Sequence, residues 1–236
     1  MKLPPGQIEL PEFPRFGLGG RPPLVPADPR ITIGGGMLDD LSISAAGLAD
    51  LPRRELTADF HCVSGWTATD LRWEGVAFRD LYERVVAPRL RPGARVTHVV
   101  LEGLDHYRAV AVLEDLLDPD VLLADRLDGR PLDLDHGAPV RLVSPKQYGF
   151  ISTKHLARIE LHPSEPRVRY HPRWQNHYGL QLVKPHPRAR VWREERHRYL
   201  PGRVVRPVYH RLITRFREIN ARLAAPGQRP RSGAWV

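Results

Sequence analysis

The residue whose chemistry stands out most is Cys62, the only cysteine in 236 residues. It sits in Asp59-Phe60-His61-Cys62-Val63-Ser64-Gly65-Trp66, next to a histidine and just before a Ser-Gly turn signal. A thiolate at a strand end is a soft ligand for a metal, or a nucleophile if a base is near. A lone cysteine is also commonly a small buried hydrophobe. No histidine is singled out by spacing as a partner base, so a Cys/His hydrolase has no specific support. A single cysteine excludes an internal disulfide, a multi-cysteine zinc or iron–sulfur site, and a C-x-x-C-H haem attachment.

The second chemical stretch runs from Leu134 to Lys154. Arg141 lies within the apolar run Val140-Arg141-Leu142-Val143. A buried arginine needs an anion, either a carboxylate of the chain or a ligand phosphate. Ser152, Thr153 and Lys154 add hydroxyls, an ammonium and backbone amides that could serve one phosphate. An internal Arg–Asp pair with a solvated lysine would account for the same residues.

The elements that must position these groups are mostly short strands. Ile31–Ile33 reads as a strand before the Gly34-Gly35-Gly36 turn, and 44–51 as a short helix stopped by Pro52. Leu56–Val63 alternates as a strand that delivers Cys62 at its end. Val76–Val86 has helical spacing. Further strands are expected at 95–101, 107–113, 122–127, 140–143 and 155–161, with a turn or short helix at 114–117. Strands outnumber helices without a βαβ rhythm, so the expected fold class is α+β, with mixed sheets and short helices. The Pro- and Gly-rich residues 1–30 are expected to be an irregular arm, 31–162 a core domain, and 163–236 a basic extension.

Charge follows that division. Residues 1–162 hold 19 Lys+Arg against 23 Asp+Glu, a net of −4. Residues 163–236 hold 17 against 4, a net of +13. Val205, Val208, Leu212, Phe216, Ile219 and Leu223 recur at helical spacing between arginines, which reads as a terminal amphipathic helix docked on the core. The arginines of the extension interleave with Tyr170, Trp174, Tyr178, Trp192 and Tyr199. That pattern is compatible with a binding module for nucleic acid or an acidic partner, but no nucleic-acid motif accompanies it. No apolar run approaches the ~20 residues of a membrane span, so no transmembrane segment is expected. The start of the chain lacks the apolar core of a secretory signal, which points to the cytoplasm, or to the periplasm if a signal has been removed.

Several separated motifs occur in an order that resembles one family. Phe60-His61-Cys62-Val63-Ser64-Gly65-Trp66 is followed by Leu71-Arg72-Trp73-Glu74-Gly75-Val76, then by Asp105-His106-Tyr107. Gly129-Arg130-Pro131-Leu132, Gly137-Ala138-Pro139-Val140-Arg141, Tyr148-Gly149 and Lys154-His155-Leu156 continue the order. Together they resemble the oxidoreductase molybdopterin-binding domain shared by sulfite oxidases and the bacterial methionine-sulfoxide-reductase catalytic subunit. The resemblance runs from about Phe13 to Leu161. It implies a molybdenum–molybdopterin cofactor with Cys62 as the thiolate ligand of the metal. It places Arg141 at the pterin phosphate, His136 and His61 beside the cofactor, and Ser152, Thr153 and Lys154 on a loop closing over the pterin. Phe13-Pro14-Arg15-Phe16-Gly17 resembles an N-terminal element that brings an arginine to the centre, with Arg15 as the catalytic candidate and Phe16 beside it. It also implies a small-molecule substrate and a separate electron-transfer partner, since no haem domain is expected in the chain.

Two departures bear on substrate. Sulfite oxidases carry arginines shortly after the cysteine, whereas this chain has Ser64-Gly65-Trp66-Thr67. The expected reaction is therefore oxygen-atom transfer on a small S- or N-oxide, with sulfite oxidation as the alternative and Arg72 as the residue that could replace the missing arginines. His106 stands where the family has glycine, and it is expected to face solvent.

Overall fold

A computed structural model describes residues 2–11, 13, 22–168, 184–208 and 211. Strands dominate among these residues. In chain order they are β1 Ile8–Leu10, β2 Arg30–Gly34, β3 Leu41–Ser44, β4 Arg53–Cys62, β5 Trp66–Ala77, β6 His98–Gly103, β7 Arg108–Val112, β8 Leu122–Leu127, β9 Arg130–Pro131, β10 Arg141–Val143 and β11 Leu156–His162. The helices are short: α1 Ala45–Ala49, α2 Phe78–Leu81 and α3 Leu113–Leu116. The class is α+β with mixed sheets, as the strand-rich pattern without βαβ rhythm implied.

Two sheets form. One is ordered β1-β5-β8-β10, with β4 also on β5 and β9 on β8; the other is ordered β3-β2-β11-β6-β7. The loop from 144 to 155 carries the chain from β10 in the first sheet to β11 in the second. It is tied at both ends, by Leu142 N–H to Thr153 O at 2.9 Å and Leu156 N–H to Val140 O at 2.8 Å. Aliphatic and aromatic residues from both sheets share one core, including Ile33, Trp66, Trp73, Leu101, Leu122, Leu142, Tyr148 and Ile159.

Three differences from the sequence expectations matter. The arm is not wholly irregular: Ile8–Leu10 pairs in parallel with Trp66–Ala68. The Ser-Gly turn after Cys62 leads straight into the twelve-residue β5, a strand not expected from the sequence. Residues 76–86 begin as the end of β5, continue as α2, and close in a wider helical turn over Tyr82–Val86. Near α1, Ser44 accepts from Gly47 N–H at 3.2 Å as the N-cap, which explains why the helix begins one residue after it.

The Arg-rich extension contributes to the core. Ala189 and Val191 are fully buried, and Tyr148 N–H and Val191 N–H exchange backbone bonds with Ala189 O and Lys146 O. Residues 202–208 are helical, with Val205 buried and Val208 exposed. Leu212, Phe216, Ile219 and Leu223 of the expected terminal helix lie outside the described residues, as do Tyr170, Trp174 and Tyr178. No helix among the described residues is long and apolar enough to cross a membrane.

Candidate functional site

Cys62 ends β4, and the turn after it is built to hold its position. Gly65 N–H bonds Cys62 O at 3.0 Å, with Gly65 at φ 99°, a conformation open to glycine at little cost. Ile8 N–H caps Gly65 O at 2.9 Å, so β1 buttresses the turn. Below it, Gln7 Nε2 donates to Cys62 O, Thr67 Oγ1 donates to Gln7 Oε1, and His61 Nδ1 lies 2.9 Å from Thr67 Oγ1. Burial lowers the His61 pKa, so the ring is held neutral.

The Cys62 thiol is buried, with Ser64 Oγ 3.1 Å from its sulfur. Burial pushes it up to about 11, against the pull of the Ser64 hydrogen bond and of the Arg196 and Lys154 charges. His61 is engaged by Thr67 rather than by the thiol, so the arrangement offers no thiolate–imidazole pair for a hydrolase. Among the described residues no group of three or more His, Cys, Asp and Glu could hold a metal.

Arg141 on β10 is fully buried. Its guanidinium donates to three carbonyl oxygens, those of Leu142, His136 and Ser152. It lies over the rings of Trp73, Phe60 and Phe13 at 5.1, 5.4 and 5.8 Å. No carboxylate of the described residues pairs with it, so the internal Arg–Asp pair weighed from sequence is not formed. Burial pushes its pKa down to about 9, which leaves it protonated at neutral pH. Beside it Trp73 Nε1 is buried without a hydrogen-bond partner.

The rest of the constellation converges on this cation. Gly149 N–H bonds His61 O at 2.7 Å and brings the 144–155 loop against β4. A Cβ at Gly149 would strike the Phe60 ring, so glycine lets the loop approach. Ser152 Oγ accepts from Ser144 N–H, and Thr153 Oγ1 donates to Ile151 O; both hydroxyls brace the loop. Lys154 Nζ donates to Asp135 O at 2.5 Å, reaching the loop that holds His136. His136 is fixed by Asp133, with Nδ1 2.8 Å from Oδ1, and its Nε2 lies 3.1 Å from Phe13 O. The structure thus gathers Cys62, His61, His136, Arg141, Ser152, Thr153 and Lys154. Arg15 and Phe16 lie outside the described residues.

His106 occupies the β6–β7 turn at φ 63°, with 69% of its side chain exposed. It faces solvent as expected, and the positive φ accounts for the family's glycine there. Arg72 is exposed on the face of β5 opposite buried Trp73, with its guanidinium beside Gly129. It is not in a position to replace arginines next to Cys62.

The residue that sequence reasoning missed is Arg196. It sits in the charged run Arg193-Glu194-Glu195-Arg196, which looks solvated, yet it is fully buried. Phe13, in the N-terminal element, also joins the site. Its ring packs on Phe60 at 4.9 Å, His136 at 5.0 Å and Trp73 at 5.7 Å.

A family model described as the oxidoreductase molybdopterin binding domain matches residues 19–170. The chain belongs to this family. It is therefore a molybdopterin-binding oxidoreductase of the sulfite-oxidase type. It is 33% identical over 150 residues to the uncharacterized oxidoreductase YuiH of Bacillus subtilis, a match covering 60% of this chain and 73% of that one. The protein-methionine-sulfoxide reductase catalytic subunit MsrP of Xanthomonas campestris is 28% identical over 65% of this chain and 51% of its own length. Human mitochondrial sulfite oxidase is 31% identical over 53% of this chain and 27% of its own. The chain thus spans about half of the reductase subunit and about a quarter of the human enzyme.

The residues present fit the family's cofactor. Asp80 is the only buried carboxylate among the described residues, and Arg54 and Arg84 engage it. Around Cys62 and Arg141 the interior offers cations and an orphan indole N–H with no buried acid. Such a lining suits an anionic ligand rich in acceptors.

Proposed function

We propose that this chain transfers an oxygen atom from a small S- or N-oxide, using a molybdenum–molybdopterin group held by Cys62. Bound there, that group supplies the two-electron redox chemistry. Residues 31–162 form the cofactor-binding core, and 163–236 the extension, of which Ala189 and Val191 pack into that core. Cys62 presents its sulfur from a turn fixed by Gly65, Gln7 and β1. Arg141 meets the phosphate, and Lys154 adds positive charge on the same side. His61 and His136 border the cofactor, and Ser152 and Thr153 hold the loop that closes over the pterin. Arg15 and Phe16 are proposed at the substrate side, with Arg15 orienting the oxide.

The observation that carries the cofactor reading is the buried, protonated Arg141 with carbonyls and ring faces around it and no carboxylate among the described residues. A group this costly to bury calls for an anion at that place. The preference for an oxide follows from the surroundings of Cys62. Sulfite is a small dianion, and desolvating it requires closely placed positive charge. The residues after Cys62 supply none, and Arg72 lies beside Gly129. Paired arginines in the extension, including Arg188, Arg190 and Arg198, weigh against a nucleic-acid surface.

Electrons are exchanged with a separate partner protein, and the chain carries no haem of its own. We place it in the cytoplasm, or in the periplasm if a signal precedes it. The deciding assay compares oxidation of a reduced dye by a panel of sulfoxides and N-oxides with sulfite-dependent dye reduction. We expect at least one oxide to exceed sulfite in specificity constant. A sulfite constant well above that of every oxide overturns the preference.

A further inference from the structure

The extension does more than cover the core. Arg196 reaches from it to three other segments at once. Its Nε donates to Tyr148 Oη at 3.0 Å, its Nη1 to Val63 O at 3.0 Å, and its Nη2 points to Pro5 O at 3.5 Å. The guanidinium stacks on the Tyr148 ring at 4.9 Å. Tyr148 Oη in turn donates to Val191 O, and Glu194, held by Arg206, lies 3.5 Å from Arg196 Nε. Val63 is the residue after Cys62, and Pro5 begins the segment that ends in β1. One planar fork therefore joins the cysteine turn, the arm, the 144–155 loop and the extension.

We propose that Arg196 is a positioning residue of the active centre, clamping the Cys62–Gly65 turn through the Val63 carbonyl and so fixing where the Cys62 sulfur sits. It lies outside residues 19–170, the stretch matched by the family model. The extension is then part of the catalytic unit rather than an accessory to it. A planar fork that spans these acceptors while stacking on the Tyr148 ring does this where a compact ammonium cannot. The proposal rests on Cys62 being the metal ligand, and it adds which residue holds that ligand in place.

The test uses the full chain prepared in a host that cannot make the pterin, so that Cys62 is read without cofactor. Its rate of alkylation by iodoacetamide is measured, with hydrogen exchange of the 62–66 amides. Arg196→Met and Arg196→Lys are each expected to raise alkylation about tenfold or more and to loosen those amides, the loss of a hydrogen bond to a charged group being of that size. Tyr148→Phe, which removes only the hydroxyl anchor, is expected to give a smaller increase in the same direction. In cofactor-loaded chains the lysine variant is expected to keep part of the metal but with an altered absorption spectrum. Wild-type alkylation, exchange and spectrum in Arg196→Lys and Tyr148→Phe, with only a lower melting temperature, would overturn the clamp. If Arg196→Met does not fold, those two variants decide. Absence of molybdenum from the loaded wild type would instead sink the ligand reading of Cys62, leaving the alkylation result to stand by itself.

Discussion

Among the described residues two arginines are buried completely, and they are buried in opposite ways. Arg196, in the extension, has a hydroxyl, two carbonyls, an aromatic face and a nearby carboxylate. Arg141, in the core, has carbonyls and aromatic faces but no carboxylate of the described residues. Both carry the desolvation cost of a buried cation. For Arg196 the chain itself compensates that cost, whereas for Arg141 none of the described carboxylates does, and the proposed cofactor would. On the readings proposed above, two side chains of one type and equal burial separate into a structural clamp and a ligand-binding charge by what surrounds them.

The comparison breaks most cleanly at the cofactor. Arg141→Met is expected to weaken cofactor retention about tenfold to a hundredfold, the size of a charge-assisted phosphate contact. In the cofactor-free chain the same change should shift stability little, because relief of desolvation offsets the lost carbonyl contacts. Arg196→Met should cost the cofactor-free chain about 2–4 kcal/mol, read by denaturant unfolding. Full cofactor loading in Arg141→Met, or the reverse order of stabilities, removes the distinction.

A smaller effect probes the ring side of Arg141. Gly149→Ala drives a methyl into Phe60, whose ring lies under the guanidinium. Overpacking of this kind costs about 1–3 kcal/mol, and cofactor occupancy should fall with it. An unchanged melting temperature would show that Phe60 can yield.

The same region predicts a pH dependence. Burial lowers the His155 pKa below its ordinary 6.5, so the folded chain prefers the neutral ring. Its contribution is full above pH 6.5 and is lost as pH falls through the lower folded-state value. His155 sits at φ 53°, which asparagine tolerates. In His155→Asn the melting temperature should fall less than in wild type between about pH 6.5 and 5. Parallel curves contradict this.

The smallest effect lies on the extension. Asp115 pairs with Arg190 at 2.6 Å and Arg188 at 3.4 Å, both partly exposed. Asp115→Asn is expected to cost about 0.5–1 kcal/mol at low salt, and less as salt rises. Tryptic cleavage of the extension should quicken correspondingly. Equal cleavage rates would show that its docking does not depend on the Asp115 pairs.

These regions were not equally legible in the sequence. The sites of β2, β6, β8, β10 and β11 followed from apolar, β-branched runs bounded by turn residues, and the position of Cys62 at a strand end followed from alternation along β4. β5 was hidden because Asp70, Glu74 and Gly75 are poor strand residues and because its burial does not alternate. Its pairing with β4 slips at Ala58/Phe60 and with β8 at Glu74/Gly75, so the period of two is broken on both sides. Arg141 declared itself by standing in an apolar strand. Arg196 did not, because its burial depends on partners 48 and 133 residues away rather than on its neighbours.

The central claim is that Cys62 ligates a molybdenum–pterin group. Its most direct test is metal and pterin analysis, with absorption spectra, of the wild type and Cys62→Ser from a host with intact cofactor synthesis. We expect the wild type to carry close to one molybdenum and one pterin per chain, and Cys62→Ser to fold but show an altered metal spectrum and no turnover. A wild type without molybdenum, or a serine variant with unchanged spectrum and activity, contradicts the account.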